Sequence, residues 1–368
     1  MLLLLILCCA SAFVATALLV RYGRGHTHRY GPEVPQRFHA GNVPRLGGIG
    51  MLVGCTVGWA WMVLSDRLNL ANQIRIEIAV AGTLWLVAFL TVAAGAFEDL
   101  TQRLPALYRL LLTMAAAMLA AGLLNLTVPR LGLYGVDTLL AAYPWIGVAF
   151  AVFAIMGLPH AFNLIDGYNG LAGTVAIVCC LALAYVALQV GDRQLAATVL
   201  VLAGGTAGFL MWNYPRGLIF AGDGGAYLWG VVIAIASVQL VMRHPQVSPW
   251  FPMLLLIYPV WETMFSIYRK TARGQSPGVA DALHFHQLIY RRIVRGVFDD
   301  DDEARRMLMR NNRTSPYLWG FTLLTVVPAV LFWNHTGILM AFTALFVVSY
   351  VWVYMSIVRF RSPRWLRH

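Results

Sequence analysis

Charge is what this chain has least of. Of its 368 residues only 12% are Asp, Glu, Lys or Arg, while 60% are hydrophobic. A soluble domain carries about 25% charged residues, so a chain this poor in charge cannot cover itself against water. Cysteine is also scarce. Cys8, Cys9, Cys55, Cys179 and Cys180 all lie in apolar runs and form no CxxC pair, which argues against a disulfide framework or a zinc site. Met1–Val20 lacks a positive leading segment and a small-residue cleavage site, so a retained first helix is expected rather than a signal peptide. The net charge of +11 is accompanied by no basic soluble domain and no aromatic platform, and nucleic acid is not expected as a partner.

What is present is apolar sequence in long runs. A run of about 20 apolar residues spans the bilayer core as a helix, and it must be helical because lipid offers no hydrogen-bond partners. Eleven spans are expected, near Leu2–Val20, Leu46–Leu64, Ile78–Phe97, Leu110–Thr127, Pro144–Phe162, Leu171–Val190, Leu195–Trp212, Gly225–Val241, Trp250–Tyr268, Tyr317–Trp333 and Gly337–Ile357. The fold class is therefore all-α, a polytopic membrane protein of 10–11 transmembrane helices in a single domain, 1–368.

Alternate loops differ in basic residues. One set holds Arg21, Arg24, Arg29, Arg37 and Arg45, then Arg103 and Arg109, Arg216, the cluster from Arg269 to Arg313, and Arg359, Arg361, Arg364 and Arg367. The other holds only Arg67, Arg75, Arg130, Arg193 and Arg243. Positive residues stay inside, which puts the N-terminus in the periplasm and the C-terminus in the cytoplasm. Most of these arginines need no further role, since each gains about 1 kcal/mol beside an anionic leaflet.

Sidedness sharpens the search for chemistry. The outer acids, Asp66, Glu77, Asp137 and Asp192, each stand alone. Five patterned segments fall on the inner side: Arg37-Phe38-His39 with Pro44-Arg45-Leu46-Gly47-Gly48; Glu98-Asp99; Phe162 to Gly170, which carries Asn163, Asp166 and Asn169; Phe220-Ala221-Gly222-Asp223-Gly224-Gly225; and His284-Phe285-His286. Asp and Asn oxygens suit a hard cation such as Mg²⁺, the glycines would let backbone N–H groups approach a phosphate, and arginines fork onto phosphate oxygens. These are the parts of phosphoryl transfer. Singly, each segment also has a plainer reading: an acidic pair ends a helix, Asp-Gly makes a turn, and loop histidines are solvated. Asp299 to Asp302 with Glu303 are read as the cap of a short basic helix, Glu303 to Arg313. Glu262 lies inside the ninth span. An acid there defaults to function, with pairing to Arg269 as the plainer account.

Together these residues resemble the polyprenyl-phosphate N-acetylhexosamine-1-phosphate transferase family over roughly residues 35–295. Residues 317–357, the last two helices, are less covered. Asn163 to Gly170 is similar to the family's Asn-x-x-Asp-Gly-x-Asp-Gly segment and Phe220 to Gly225 to its Phe-x-Gly-Asp-x-Gly segment. The stretch from Pro259-Val260-Trp261-Glu262-Thr263 through Asp281 to His284-Phe285-His286 resembles the sugar-specific bacterial branch; the three consecutive histidines of the peptidoglycan translocase are absent. Glu98, Asn169 and Glu262 stand where relatives carry Asp, and Gln287 where many carry His.

The resemblance implies transfer of a sugar 1-phosphate, most simply N-acetylhexosamine 1-phosphate, from a UDP-sugar to undecaprenyl phosphate, at the start of cell-envelope polysaccharide or O-antigen synthesis. It implies a multi-pass protein of the bacterial inner membrane with its site facing the cytoplasm, and a homodimer by analogy. Asp99, Asp166, Asp223 and Glu98 become the catalytic candidates. Asp223 and Asn163 would hold Mg²⁺, with Mn²⁺ as the alternative. Arg37, His39, Arg45, Asn163, Asn169, His284, His286 and Arg291 would bind substrate. The alternatives are another UDP-sugar donor, or a non-catalytic transporter or scaffold for lipid-linked sugars.

Overall fold

The computed structural model describes residues 1–23, 43–67, 74, 76–276, 283–294 and 301–359. Among the described residues it is all-helical, without strands. The helices are α1 Leu2–Tyr22, α2 Gly47–Arg67, α3 Ile78–Thr101, α4 Ala106–Leu123, α5 Tyr134–Ala142, α6 Pro144–Ile165, α7 Leu171–Gln189, α8 Arg193–Asn213, α9 Gly222–Arg243, α10 Trp250–Leu255, α11 Ile257–Ala272, α12 Phe285–Arg292, α13 Glu303–Leu331 and α14 Thr336–Val358. Ten are long and apolar enough to cross a membrane by length and composition: α1 to α4, α6 to α9, α13 and α14. Each has 18 or more residues, and at 1.5 Å per residue that covers the hydrocarbon core.

The centre of the bundle is α9. Of its apolar stretch 94% is buried, against 28% for each of α1, α4 and α14. It is apolar on every side, as a helix wrapped by other helices must be, and α2, α3, α6, α7 and α8 pack around it. Helices in lipid associate through close packing rather than through the hydrophobic effect, so small residues gather where they touch. At the head of α9 this is extreme. A Cβ on Gly48 of α2 would lie 2.3 Å from the Gly225 nitrogen, and one on Gly95 of α3 would lie 2.2 Å from the Gly224 nitrogen. Three main chains are in contact there.

Contacts along the helices order the two faces of the bundle. α8 ends at Asn213, whose side chain holds the Gly170 N–H, and α1 runs parallel to it, Leu5 lying against Gly204 and Cys9 against Gly208. At the end of α14, Arg292 donates to the carbonyls of Ile357 and Val358. The start of α1 and the end of α14 thus lie at opposite faces, and the end of α14 shares its face with Asp223, Asp166 and His284.

The ninth expected span is not one helix. α10 stops at Leu255 and α11 starts at Ile257. Pro259 accounts for the break: it has no N–H for the Leu255 carbonyl, and its ring occupies the space that carbonyl needs. The pieces still cross together, since Trp250 donates to the Leu131 carbonyl at the far face and Glu262 meets His284 at the other. A second difference concerns α13. The expected short basic helix and the tenth span are one continuous helix of 29 residues with Pro316 inside it. Asp302 does cap it, accepting from Ala304 and Arg305 N–H at 2.9 and 3.3 Å; Asp299 and Asp300 lie outside the described residues.

Candidate active site

Asp223, in the first turn of α9, is the best-connected side chain. Its Oδ1 accepts from Asn163 Nδ2 at 2.6 Å. Its Oδ2 accepts from an Arg109 N–H at 2.8 Å and from the Tyr227 hydroxyl at 3.2 Å. Neither partner is fully buried: the side chains of Arg109 and Asp223 keep 29% and 17% of their surface, so the pair opens toward one face. Behind it, His160 Nε2 lies 2.9 Å from the Thr113 hydroxyl, and its ring meets Tyr227 edge-on at 5.3 Å.

Asp99, near the end of α3, is 5% exposed. Its two oxygens accept the N–H groups of Asp223 and Gly224, at 3.1 and 3.3 Å. These N–H groups are among the four that a helix start leaves without internal partners. The expectation that the glycines let α9 offer its N–H groups to a phosphate is therefore corrected: Asp99 occupies two of them, and Gly48, Gly95, Gly224 and Gly225 serve the contact of main chains. Gly222 has φ +71°, the left-handed region that favours glycine, and a Cβ there would fall 2.4 Å from Asp99 Oδ2. The first and fourth motifs are zipped together by backbone: Phe220 N–H to the Pro44 carbonyl, Gly47 N–H to the Phe220 carbonyl and Gly48 N–H to the Ala221 carbonyl. That zipper brings Arg45 into electrostatic range of both Asp99 and Asp166.

Asp166 follows α6 directly. Part of it is open to solvent, yet surrounding protein and then the neighbouring Asp223 push its carboxyl up to about 7, against the lowering effect of Arg45. The next residue, Gly167, receives the histidine segment. A Cβ at Gly167 would lie 2.8 Å from His286 Nε2.

His284 caps α12 and His286 lies within it. Their rings stack at 5.5 Å with 6° between planes, and both are buried. Solvated loop histidines, the plainer reading, are excluded. Burial pushes the His286 imidazole down to about 3, with His284 adding to the effect. Glu262, wholly buried, holds this segment: Oε1 takes His284 Nδ1 at 3.2 Å and the Phe285 N–H at 3.1 Å, and Oε2 takes the Tyr350 hydroxyl of α14. Arg269 donates to Tyr354 at 2.9 Å. Glu262 thus positions the histidines. Arg291 is exposed beside the stacked rings of Tyr168 and Tyr290.

The structure brings Asp99, Asp166, Asp223, Asn163 and Arg45 together and docks His284 and His286 against them. Two candidates sit apart in role. Glu98 closes the turn into α4, its Oε2 accepting the Leu104 N–H at 2.7 Å. Asn169 is tied to α13, its Nδ2 donating to Asn312 at 3.0 Å. Arg37 and His39 lie outside the described residues. Sequence reasoning passed over Arg109, His160 and Tyr227. Arg109 carried a signal, a lone arginine one turn into an apolar run; the other two carried none, since their partners lie far along the chain.

The donor set fits magnesium. Asp223 and Asn163 offer hard oxygens beside an open face, and the Arg109 guanidinium already stands where a cation would meet Asp223 Oδ2. Among the described residues no group of three or more His, Cys, Asp or Glu side chains surrounds one point, so the remaining ligands would be water and substrate oxygens.

Comparison with known proteins finds a family and relatives. Residues 81–241, which carry Asp99, Asn163, Asp166 and Asp223, match the model of the family described as Glycosyl transferase family 4. The chain is 27% identical over 254 residues to a protein of Bacillus subtilis (strain 168) named "Probable undecaprenyl-phosphate N-acetylglucosaminyl 1-phosphate transferase", covering 68% of this chain and 66% of the relative. It is 25% identical over 297 residues to the undecaprenyl-phosphate alpha-N-acetylglucosaminyl 1-phosphate transferase of Yersinia pestis, covering 77% and 73%. To the phospho-N-acetylmuramoyl-pentapeptide-transferase of Streptococcus pneumoniae (strain Hungary19A-6) it is 24% identical over 258 residues, covering 69% and 76%. The likeness read from the motifs is borne out: the chain is a multi-pass membrane transferase similar to these proteins, and its residues 81–241 match that family's model.

Proposed function

We propose that this protein transfers a sugar 1-phosphate from a UDP-sugar to undecaprenyl phosphate, with N-acetylhexosamine as the sugar and cell-envelope polysaccharide such as O-antigen as the destination. The observation that carries the reading is the convergence of Asp223, Asp166, Arg109, Arg45 and Asn163 at one end of a membrane bundle. A water-soluble nucleotide reaches such a site from solvent, and a lipid phosphate reaches it from the bilayer. The arginine bias between loops supports a cytoplasmic position for this face, in a bacterial inner membrane.

In the reaction an oxygen of the lipid phosphate bonds to the β-phosphorus of the UDP-sugar. The bond from that phosphorus to the bridging oxygen breaks, its electron pair leaves with UMP, and the sugar remains on a lipid diphosphate. Arg45 and Arg109 neutralise phosphate oxygens as charge moves onto the leaving group. Asp223 holds Arg109 and Asn163 in register. Asp99 fixes the head of α9 and so fixes Asp223. Asp166, with a carboxyl poised near neutrality, orients the attacking phosphate or accepts a proton from it. His284 and His286 wall the diphosphate side. Asp223 and Asn163 would hold a magnesium ion, which would supply charge neutralisation for the diphosphate and the leaving UMP.

The test is UMP release from purified protein supplied with undecaprenyl phosphate, Mg²⁺ and a panel of UDP-sugars, with Asp223→Ala as the blank. Release that needs lipid and metal together and disappears in the blank supports the reading. Folded, inserted protein that releases UMP from no donor overturns it.

A further inference from the structure

The loop from Asp166 to Gly170 has no regular structure of its own, and its backbone groups must find partners elsewhere. At Asn169 they find them on α13. The Asn169 N–H donates to Asn311 Oδ1 at 2.8 Å, and its carbonyl accepts from the Ser315 hydroxyl at 2.6 Å. The Asn169 side chain donates to Asn312 Oδ1 at 3.0 Å, while Asn312 Nδ2 donates to the Pro215 carbonyl at 2.6 Å. One turn on, Trp319 Nε1 donates to the Gly170 carbonyl at 3.1 Å and its ring meets Tyr214 edge-on at 5.3 Å. Asn311, Ser315 and Asn169 are buried. The four α13 residues lie on one stripe, at spacings of three and four, as residues on one helix face must. Pro316 falls in the middle of the stripe and has no N–H for the Asn312 carbonyl, which loosens the helix where it turns over the loop.

We propose that Asn311, Asn312, Ser315 and Trp319 form a clamp that sets the register of the Asp166–Gly170 loop and so positions Asp166 against Asp223 and Arg45. This rests on the reaction proposed above and extends its machinery to a helix beyond the matched residues 81–241. The four act through the loop and are positioning residues. The amide at Asn169 acquires a reason here. It donates to an Asn312 whose own amide group is engaged with Pro215; a carboxylate at 169 would face the Asn312 oxygen with no proton to give.

Each position has a distinct chemical requirement, and the test uses it in the intact protein. Toward the loop Asn311 supplies an acceptor and Ser315 a donor, while Asn312 accepts from Asn169 and donates to Pro215. Asn311→Ala, Ser315→Ala and Asn312→Asp should each lower kcat of UMP release at least tenfold, with KM for the UDP-sugar within twofold and Tm within a few degrees of wild type. Asn311→Asp and Ser315→Thr should restore most of kcat. Hydrogen exchange of the peptide containing Asn169 should speed up in Asn311→Ala but not in Asn311→Asp, a readout that needs no turnover. Unchanged kcat in the three disruptive variants would overturn the clamp, as would losses that follow Tm and folded yield without rescue. Wild-type protein inactive with every donor would instead sink the proposed reaction, while exchange at Asn169 still reports whether α13 holds the loop.

Discussion

The two faces of this bundle use charge in opposite ways. On the far face Arg130, Asp137 and Asp192 each close a piece of backbone. Arg130 donates to four carbonyls, those of Val241, His244, Pro245 and Val247, at 2.6 to 3.2 Å, and so finishes α9. Asp137 accepts the N–H groups of Leu131 and Gly132. Asp192 caps α8 through Leu195 and collects His244 and Arg243. On the other face Asp99 does similar work, but Asp166 and Asp223 stand near one another, with Arg109 paired to Asp223 and Arg45 in electrostatic range of Asp166, and no helix end requires them. Carboxylates gathered without a backbone duty raise the energy of the fold, and that surplus is the physical signature of a site.

The comparison can be broken by substitution, and the largest effect should come first. Asp223→Asn keeps the shape and removes the charge. Turnover should fall by about 10²–10³-fold or more, with only a small fall in Tm, because Arg109 loses a charged partner while the repulsion with Asp166 is relieved. A large fall in Tm would mean that Asp223 is structural like its far-face counterparts. Next is Arg130→Met, which leaves carbonyls at the end of α9 without donors. It should cost about 2–3 kcal/mol, read as a lower Tm in detergent, with unchanged turnover per folded molecule.

Asp166 sharpens the contrast through pH. Its carboxyl is raised from the ordinary 3.8 to about 7, so between those values the folded chain holds a proton that the unfolded chain has lost. Its contribution to stability is complete below about pH 4 and is lost as pH rises through 7. Tm measured from pH 5 to pH 8 should decline more steeply in wild type than in Asp166→Asn. An identical slope would place the carboxyl in ordinary solvent. The smallest effect belongs to Asp192→Ala, a lost helix cap worth about 1 kcal/mol, with no change in turnover.

Much of this was legible before any coordinates. Runs of apolar residues announce themselves, and ten spans fall where expected. The acids were legible as a set because the loop arginines sort the segments by side. What could not be read was pairing across distance. Nothing near Arg109 says that it will meet Asp223, 114 residues on. Glu262 was flagged by its cost in lipid, but its partners, His284 and Tyr350, are set by how α14 packs. Residues 314–316 looked like the boundary between two helices, Glu303 to Arg313 and the span from Tyr317. They prove to lie in one helix, since a single proline removes one hydrogen bond and the contacts to the loop compensate. At Pro259 the freed Leu255 carbonyl turns to the Cys179 thiol of α7 at 3.9 Å, and the helix breaks.

The contact of main chains at the head of α9 has a consequence for the protein in its membrane. Bilayers differ in thickness by several ångströms, and helices answer by tilting. The helices that show most of their surface to the lipid are α4 and α14, with 28% of their apolar stretch buried. α2, α3 and α9 meet through glycines with no side chain between them to yield, so they must tilt as one body. The distance from Asp99 to Asp223 is therefore insulated from the lipid, and the same chemistry can run in thin and thick membranes alike.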